Sequence, residues 1–367
     1  MIDACELAPS YVRAIAPYQP GKPTSELARE MGLDEAGIVK LASNENPLGA
    51  SPLVRRAIEA QLQDLARYPD GSGFELKQAL CRHYGVTADQ VVLGNGSNDV
   101  LELVARAFLA PGNSSVFSQH AFAVYPLAIQ AIGAIAIQVP AKDYGHDLPA
   151  MAAAVREDTR VLWIANPNNP TGTFASAAAL LEVLERVPAR VIVVLDEAYN
   201  EYLPDGLRED TTRWLARFPN LVITRTFSKA YGLAGLRVGF ALGHPEVVDL
   251  MNRLRQPFNV GSLGQAAAVA ALQDEAFVRK SREVNDAGLR LLSEGFKRLE
   301  LPFIPSFGNF VSVRVGQGAA VYQRLLRQGV IVRPVSAYGM PEFLRVSIGV
   351  AAENERFLAA LRTALHA

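Results

Sequence analysis

The chain is poor in the residues that staple or metallate a fold. Its only cysteines are Cys5 and Cys81, which supply neither a disulfide framework nor a paired zinc motif and suit a reducing compartment. His83, His120, His146, His244 and His366 are scattered, with no pair at helical i, i+4 spacing; no metal site is expected. Charge of one sign is missing as well. With 36 basic against 37 acidic side chains, the net charge is −1. That leaves no electrostatic footprint for nucleic acid and no polybasic stretch for a membrane surface. No apolar run reaches the roughly 18 residues of a membrane span. The stretch AVYPLAIQAIGAIAIQVP is interrupted by Pro126, Gln130, Gly133, Gln138 and Pro140. The opening MIDACELAPSYVRA carries an early acid and no continuous apolar core, unlike a signal peptide. These absences point to a cytoplasmic protein whose partner is a small molecule or a second copy of itself.

What is present is apolar residue. Half of the 367 residues are hydrophobic and 20% are charged, which excludes global disorder and allows a large core. Prolines 9, 17, 20 and 23 predict an extended N-terminal arm over residues 1–45, with SELAREMGL as a short helix. Ser51-Pro52 reads as a cap followed by proline in the first helical position. Val54, Ile58, Leu62 and Leu65 then repeat at helical spacing until Tyr68-Pro69-Asp70-Gly71 turns the chain. A second helix follows, with Leu76, Leu80 and Tyr84 on one side.

Short apolar runs alternate with helical stretches between residues 91 and 243. The runs are VVLG, SVFS, IAIQV, VLWIA, VIVVLD, LVITRT and VGFALG. Continuous β-branched runs are what strands buried on both faces look like. Alternation with helices predicts a mainly parallel sheet in an α/β fold. After a long helical region from about Pro245 to Glu300, broken near QPFNVGS, come NFVSVRV, the helix AAVYQRLLRQG, VIVRP, FLRVSIG and a last helix from about Glu353. This tail suggests a smaller α+β unit. The division expected is 1–45 arm, 46–250 large domain and 251–367 small domain.

In open α/β sheets ligands bind beyond the carboxyl ends of the strands. Here VVLG ends in GNGSND, VLWIA in NPNNPTG, VIVVLD in DEAYNEY and LVITRT in FSKAYGLAGLR. GNGSND fails the dinucleotide fingerprint, because Asp99 takes the sixth position. Gly94, Gly96, Ser97 and Asn98 at a helix start still make a plausible anion cradle. Alone, Asp196 reads as a turn acid or as a buried carboxylate awaiting a cation. Lys229 stands among aromatic and small residues, with Thr226, Ser228 and Arg237 nearby. Such hydroxyls and a guanidinium suit a phosphate, and a lysine in apolar surroundings can act as an amine nucleophile.

Together these residues resemble the fold-type I pyridoxal phosphate (PLP) enzymes, the aspartate aminotransferase superfamily. PYQPGKP, LASNENPLG, RYPDGSG, GNGSNDVLEL, NPNNPTG, DEAYNEY, RTFSKAYGLAGLRVG and LRVSIG occur in the order of its histidinol-phosphate aminotransferase branch. The resemblance covers essentially the whole chain. It implies a three-layer fold, a mainly parallel seven-stranded sheet between helices, with a smaller α+β domain.

By the same resemblance Lys229 would bind the PLP aldehyde and move the substrate's α proton, and Asp196 would pair with the pyridine nitrogen. Asn169 and Tyr199 would hydrogen-bond the ring oxygen, and Phe122 would stack on the ring. Gly96, Ser97, Asn98, Thr226, Ser228 and Arg237 would surround the phosphate. Tyr68 would reach the neighbouring subunit's phosphate in a homodimer. Arg345 and Arg333 would receive substrate anions, with Tyr18 and Asn46 of the arm close by. QHAFAVY departs from the Pro-Thr-Tyr-Ser-type residues common there, so His120 and Ala121 receive no role. The reaction implied is amino transfer between histidinol phosphate and 2-oxoglutarate, giving imidazole-acetol phosphate and glutamate. The rivals are an aromatic amino acid aminotransferase, a phosphothreonine decarboxylase and a PLP-sensing regulator, the last disfavoured because the chain has no basic N-terminal domain.

Overall fold

A computed structural model describes residues 4–366; the first three residues of the expected arm and the last of the expected small domain lie outside them. Each of the seven apolar runs forms a strand. They are β1 (Val91–Gly94), β2 (Ser114–Ser118), β3 (Ile135–Val139), β4 (Thr159–Ala165), β5 (Ile192–Asp196), β6 (Leu221–Thr226) and β7 (Gly239–Gly243). Their order in the sheet is β1-β7-β6-β5-β4-β2-β3. Only β7 runs antiparallel to its neighbours. The sheet is therefore mainly parallel, and helices cover both faces.

The two-sided burial is visible in the alternation along β4. Leu162 and Ile164 enter one apolar core with Val193, Leu195 and Ile223. Val161 and Trp163 enter the opposite one with Val194 and Val222. Successive strand side chains point to opposite faces, so a strand between two cores must be apolar at every position. β3, at the edge, departs from this, and its Ile135 is 45% exposed.

Helices form where caps and periodicity predict them, with three differences. Ser51 accepts a hydrogen bond from the Val54 amide at 3.2 Å, capping Pro52–Gln61; such a cap contributes about 1 kcal/mol. The helix then tightens into a 3-10 turn, Leu62–Asp64. Three residues per turn instead of 3.6 carries Leu62 and Leu65 off the buried face, and both are exposed. Second, the helix Ser262–Leu272 lies within the range expected for the small domain, yet Ala267, Ala268, Ala271 and Leu272 belong to the large core. Its small side chains let it pack closely on Pro52–Gln61 and Phe74–Tyr84. Third, VIVRP is two strands. Val330–Ile331 pairs in parallel with Val39–Lys40, stitching the arm to the tail.

The other half of that run is β10 (Arg333–Pro334), in an antiparallel sheet with β8 (Phe303–Ile304), β9 (Phe310–Arg314) and β11 (Phe343–Ser347), ordered β10-β11-β9-β8. Helices Glu275–Arg298 and Ala351–His366 pack on it through Leu292, Phe296, Phe357 and Leu361. No helix of the described residues is long and apolar enough to cross a membrane. Among them there is also no cluster of three or more metal-ligating side chains.

Candidate active site

Register brings the strand ends level. Ala165 lies opposite Asp196, and Asp196 opposite Thr224. The loops that follow enclose a cleft of about 240 Å³, bounded on its other side by the arm and the antiparallel sheet. Ser97, Asn98, Phe122, Asn169, Asp196, Tyr199, Thr226, Ser228, Lys229, Arg237, Arg333, Arg345 and Tyr18 all line it. These residues come from nearly the whole length of the chain.

At one end is an anion cradle. Ser97 begins the helix Ser97–Phe108, whose free amides and dipole favour a negative group. Gly96, at φ 83°, precedes it, and a Cβ there would collide with the Arg237 guanidinium. Glycine is what lets Arg237 close over the helix start. Arg237 donates to Ser228 Oγ at 3.2 Å, and the Ser228 amide donates to Thr226 Oγ1 at 3.1 Å. Gly96 therefore shapes the cradle without itself lining the cleft.

In the middle stand Asp196 and Lys229. Asp196 is 5% exposed, and burial raises its carboxyl above the usual range. Three hydrogen bonds oppose that rise, the weakest from the Ala198 backbone amide. Tyr125 donates to Oδ2 at 2.7 Å and Thr224 to Oδ1 at 3.0 Å. The Tyr125 ring stacks on Trp163 at 5.2 Å, and the Trp163 indole donates to Ser115 Oγ at 2.7 Å. Lys229 Nζ donates to the Ser43 carbonyl at 3.1 Å and lies 5.8 Å from the Tyr199 ring centroid. Burial, then the Arg345 charge, lowers its ammonium to about 7. Such an amine is partly neutral near pH 7 and can take up a proton or attack a carbonyl.

The far end is cationic. Arg345 donates to Asn169 Oδ1 and, at 2.7 Å, to the Ala42 carbonyl. Its buried Nε has no partner. Arg333 lies over the Tyr18 ring at 5.3 Å and is tied to the arm through the Gln19 carbonyl. Burial pushes the Tyr199 hydroxyl up to about 12, and that hydroxyl accepts from Asn44 Nδ2 at 2.9 Å.

One expected residue lies elsewhere, and two important ones were missed. Asn46 does not face the substrate space. Its amide nitrogen is committed to the Ala230 carbonyl at 2.9 Å and Ser281 Oγ at 2.8 Å, and its oxygen accepts from the Leu48 amide. Asn44, two residues earlier, faces the cleft instead, through a backbone at φ 55°. The motif LASNENPLG pointed to the right loop, but only this turn decides which asparagine enters. Tyr68 is 82% exposed, stacked on Phe258 and outside its own chain's cleft. Tyr125 carried no sequence signal, since a tyrosine in VYPLAIQAI reads as core. His120 is buried, with Nδ1 2.7 Å from the Tyr338 carbonyl.

The cleft fits the cofactor that the motifs imply. A glycine-closed cradle suits its phosphate, a partly neutral lysine its aldehyde, and a buried acceptor its ring nitrogen. The guanidinium nitrogen left without a partner suits a substrate anion.

Comparison with known proteins agrees with this reading. Residues 36–361 match the family described as "Aminotransferase class I and II". The chain is 63% identical over 365 residues to "Histidinol-phosphate aminotransferase 2" of Nitrosospira multiformis, covering 99% of this chain and 93% of that one. It is 62% identical to the histidinol-phosphate aminotransferase of Methylobacillus flagellatus, covering 98% of each. Among solved structures, the histidinol-phosphate aminotransferase of Sinorhizobium meliloti in complex with pyridoxal-5'-phosphate superposes with a TM-score of 0.89. Identity there is 28%, and 97% of each chain is covered.

Proposed function

Because the chain belongs to the class I and II aminotransferases, we propose that it moves an amino group between histidinol phosphate and 2-oxoglutarate, with PLP as cofactor. The products are imidazole-acetol phosphate and glutamate, a step of L-histidine biosynthesis. The observation that carries this reading is one cleft holding a lysine that titrates near neutral pH together with an anion cradle and a separate pair of arginines. The high identity to relatives of that name over nearly the full chain supports the substrate.

PLP supplies an electron sink for the substrate's α carbon. The chain's own residues do the rest. Ser97, Asn98, Thr226, Ser228 and Arg237 hold the phosphate, and Phe122 bounds one side of the ring space. Asp196, held by Tyr125 and Thr224, keeps a fixed negative charge for the ring nitrogen. Asn169 and Tyr199 hold the ring oxygen, and Asn44 fixes the Tyr199 hydroxyl. Lys229 Nζ takes the proton from the substrate's α carbon and returns it, which requires an amine titrating close to the working pH. Arg345, oriented by Asn169 and Ala42, receives the carboxylate of glutamate or 2-oxoglutarate. Arg333 beside it is the second cation for the phosphate of histidinol phosphate.

A cytoplasmic homodimer completes the proposal. Tyr68 is turned away from its own cleft, and in a dimer it serves the partner's phosphate site. The unit boundaries belong to the proposal too: an arm joined to the tail, a large PLP-binding domain, and a small domain that begins after the helix Ser262–Leu272.

The substrate test is a side-by-side comparison of kcat/KM for histidinol phosphate, phenylalanine and tyrosine, since specificity is a ratio of these constants. Histidinol phosphate is expected to lead. A higher value for phenylalanine or tyrosine turns the chain into an aromatic aminotransferase and leaves the cofactor chemistry as described.

A further inference from the structure

Three consecutive residues of the arm, Ala42, Ser43 and Asn44, touch three side chains of the cleft. The Ala42 carbonyl accepts from Arg345 at 2.7 Å, and the Ser43 carbonyl accepts from Lys229 Nζ at 3.1 Å. Asn44 Nδ2 donates to the Tyr199 hydroxyl at 2.9 Å. One short segment therefore meets the substrate's arginine, the reacting amine and the tyrosine of the ring oxygen. Whatever holds this segment holds them together.

Ser347 holds it. This residue ends β11, two positions after Arg345 and so on the same face of the strand. Its amide donates to the Leu41 carbonyl at 2.9 Å, and its Oγ accepts from the Asn44 amide at 2.8 Å. Asn309, just before β9, donates to the Asn44 carbonyl at 2.9 Å. Asn44, Asn309 and Ser347 are all buried, where a lost partner is costly.

The same serine decides which way the Asn44 amide faces. A hydroxyl carries a single proton, and Ser347 gives its own to Asn44 Oδ1 at 3.0 Å. The reverse orientation of the amide would set an N–H group against that proton. With Oδ1 turned to Ser347, Nδ2 points at Tyr199, whose oxygen accepts. The Tyr199 proton is then left for an acceptor in the cleft that its ring lines. An asparagine free to turn could instead offer its oxygen to Tyr199 and draw that proton away.

We propose that Ser347 is a positioning residue of this enzyme, aiming the Tyr199 hydroxyl proton at the cofactor's ring oxygen through Asn44. The role rests on PLP occupying the cleft. A hydrogen bond donated to the ring oxygen stabilises its negative charge, which loosens the proton on the nitrogen that joins Lys229 to the cofactor.

The visible absorption of the cofactor-loaded, full-length protein, titrated against pH, reads that proton independently of turnover. In Ser347→Ala the midpoint is expected to rise by about half a pH unit or more. Tyr199→Phe is expected to raise it further. Ser347→Ala added to Tyr199→Phe is expected to change nothing more, since residues that act through one group do not add. The charged groups around Lys229 and Tyr199, namely Arg345, Arg237, Glu45 and Asp196, and the Tyr338 hydroxyl, are the same in every variant. Ser347→Cys keeps the side chain's size, weakens both of its hydrogen bonds, and serves if Ser347→Ala does not fold. An unmoved midpoint in the folded Ser347 variant overturns the proposal. So does a full shift on top of Tyr199→Phe, because Ser347 then acts by another path. A parent protein that gains no visible band with PLP overturns the cofactor reading and this role with it.

Discussion

Asp196 and Glu197 are neighbours at the end of one strand, both buried, and they leave the sheet on opposite sides. On the cleft side, Asp196 takes two neutral hydroxyls, from Tyr125 and Thr224, and forms no ion pair among the described residues. On the far side, Glu197 takes the Arg225 guanidinium and is neutralised within the chain. Chemistry needs the first arrangement and stability the second. A carboxylate already paired could not offer its charge to a bound ring, whereas one left unmatched is expensive to bury. The two sides of β5 thus divide the work of the molecule.

The largest test of this division removes the cleft charge. Asp196→Asn is expected to lower kcat roughly 100-fold or more while the protein still folds, because an amide offers no net charge to a ring nitrogen. Stability should move the other way. The folded carboxyl is raised, so its contribution is lost as pH climbs from the usual carboxylate range through the raised value. At pH 7 to 8 the cofactor-free variant should melt no lower than the parent. Near-normal turnover, or a large fall in Tm, breaks the comparison.

The far side should respond in stability first. Arg225→Met leaves Glu197 buried without its cation and is expected to cost about 3–5 kcal/mol, read from denaturant unfolding. Turnover per folded molecule should change little. A variant as stable as the parent would show that the pair is dispensable.

Tyr125→Phe is a smaller change on the cleft side. It removes the strongest of the donors that hold the Asp196 carboxyl down, at about 1 kcal/mol. The carboxyl rises further, so the acid limb of the kcat/KM profile should move to higher pH, with kcat lowered severalfold. An unshifted limb would make Tyr125 a packing residue only.

The smallest effect concerns Lys229. In cofactor-free protein its amine titrates near 7 rather than 10.5, so labelling of Lys229 by an amine-reactive reagent should level off above neutral pH. Arg345→Gln removes a cation that lowers it and should move the midpoint upward. A midpoint unmoved by that change would leave burial and the Arg237 charge as the causes.

Much of this could be read from the chain before any coordinates. Strands buried on both faces, such as VLWIA and VIVVLD, declare themselves by unbroken apolar runs, and the polar residues at their ends named most of the cleft. Glycine and proline marked the turns. Asn46 was misassigned because two asparagines in one loop look alike until the backbone at Asn44 turns to positive φ. The helix Ser262–Leu272 falls in the range expected for the small domain yet fills the large core, because an alanine-rich segment carries no signal of which core it fills.

The sequence alone determined the order of strands and helices, the family and the chemical groups at the strand ends, because these depend on patterns a few residues long. Tertiary structure alone decided which groups meet. Tyr125 reaches Asp196 across 71 residues and Asn44 reaches Tyr199 across 155, and no local period encodes such a bond. The buried ions likewise acquire meaning only from the side of the sheet on which the fold places them.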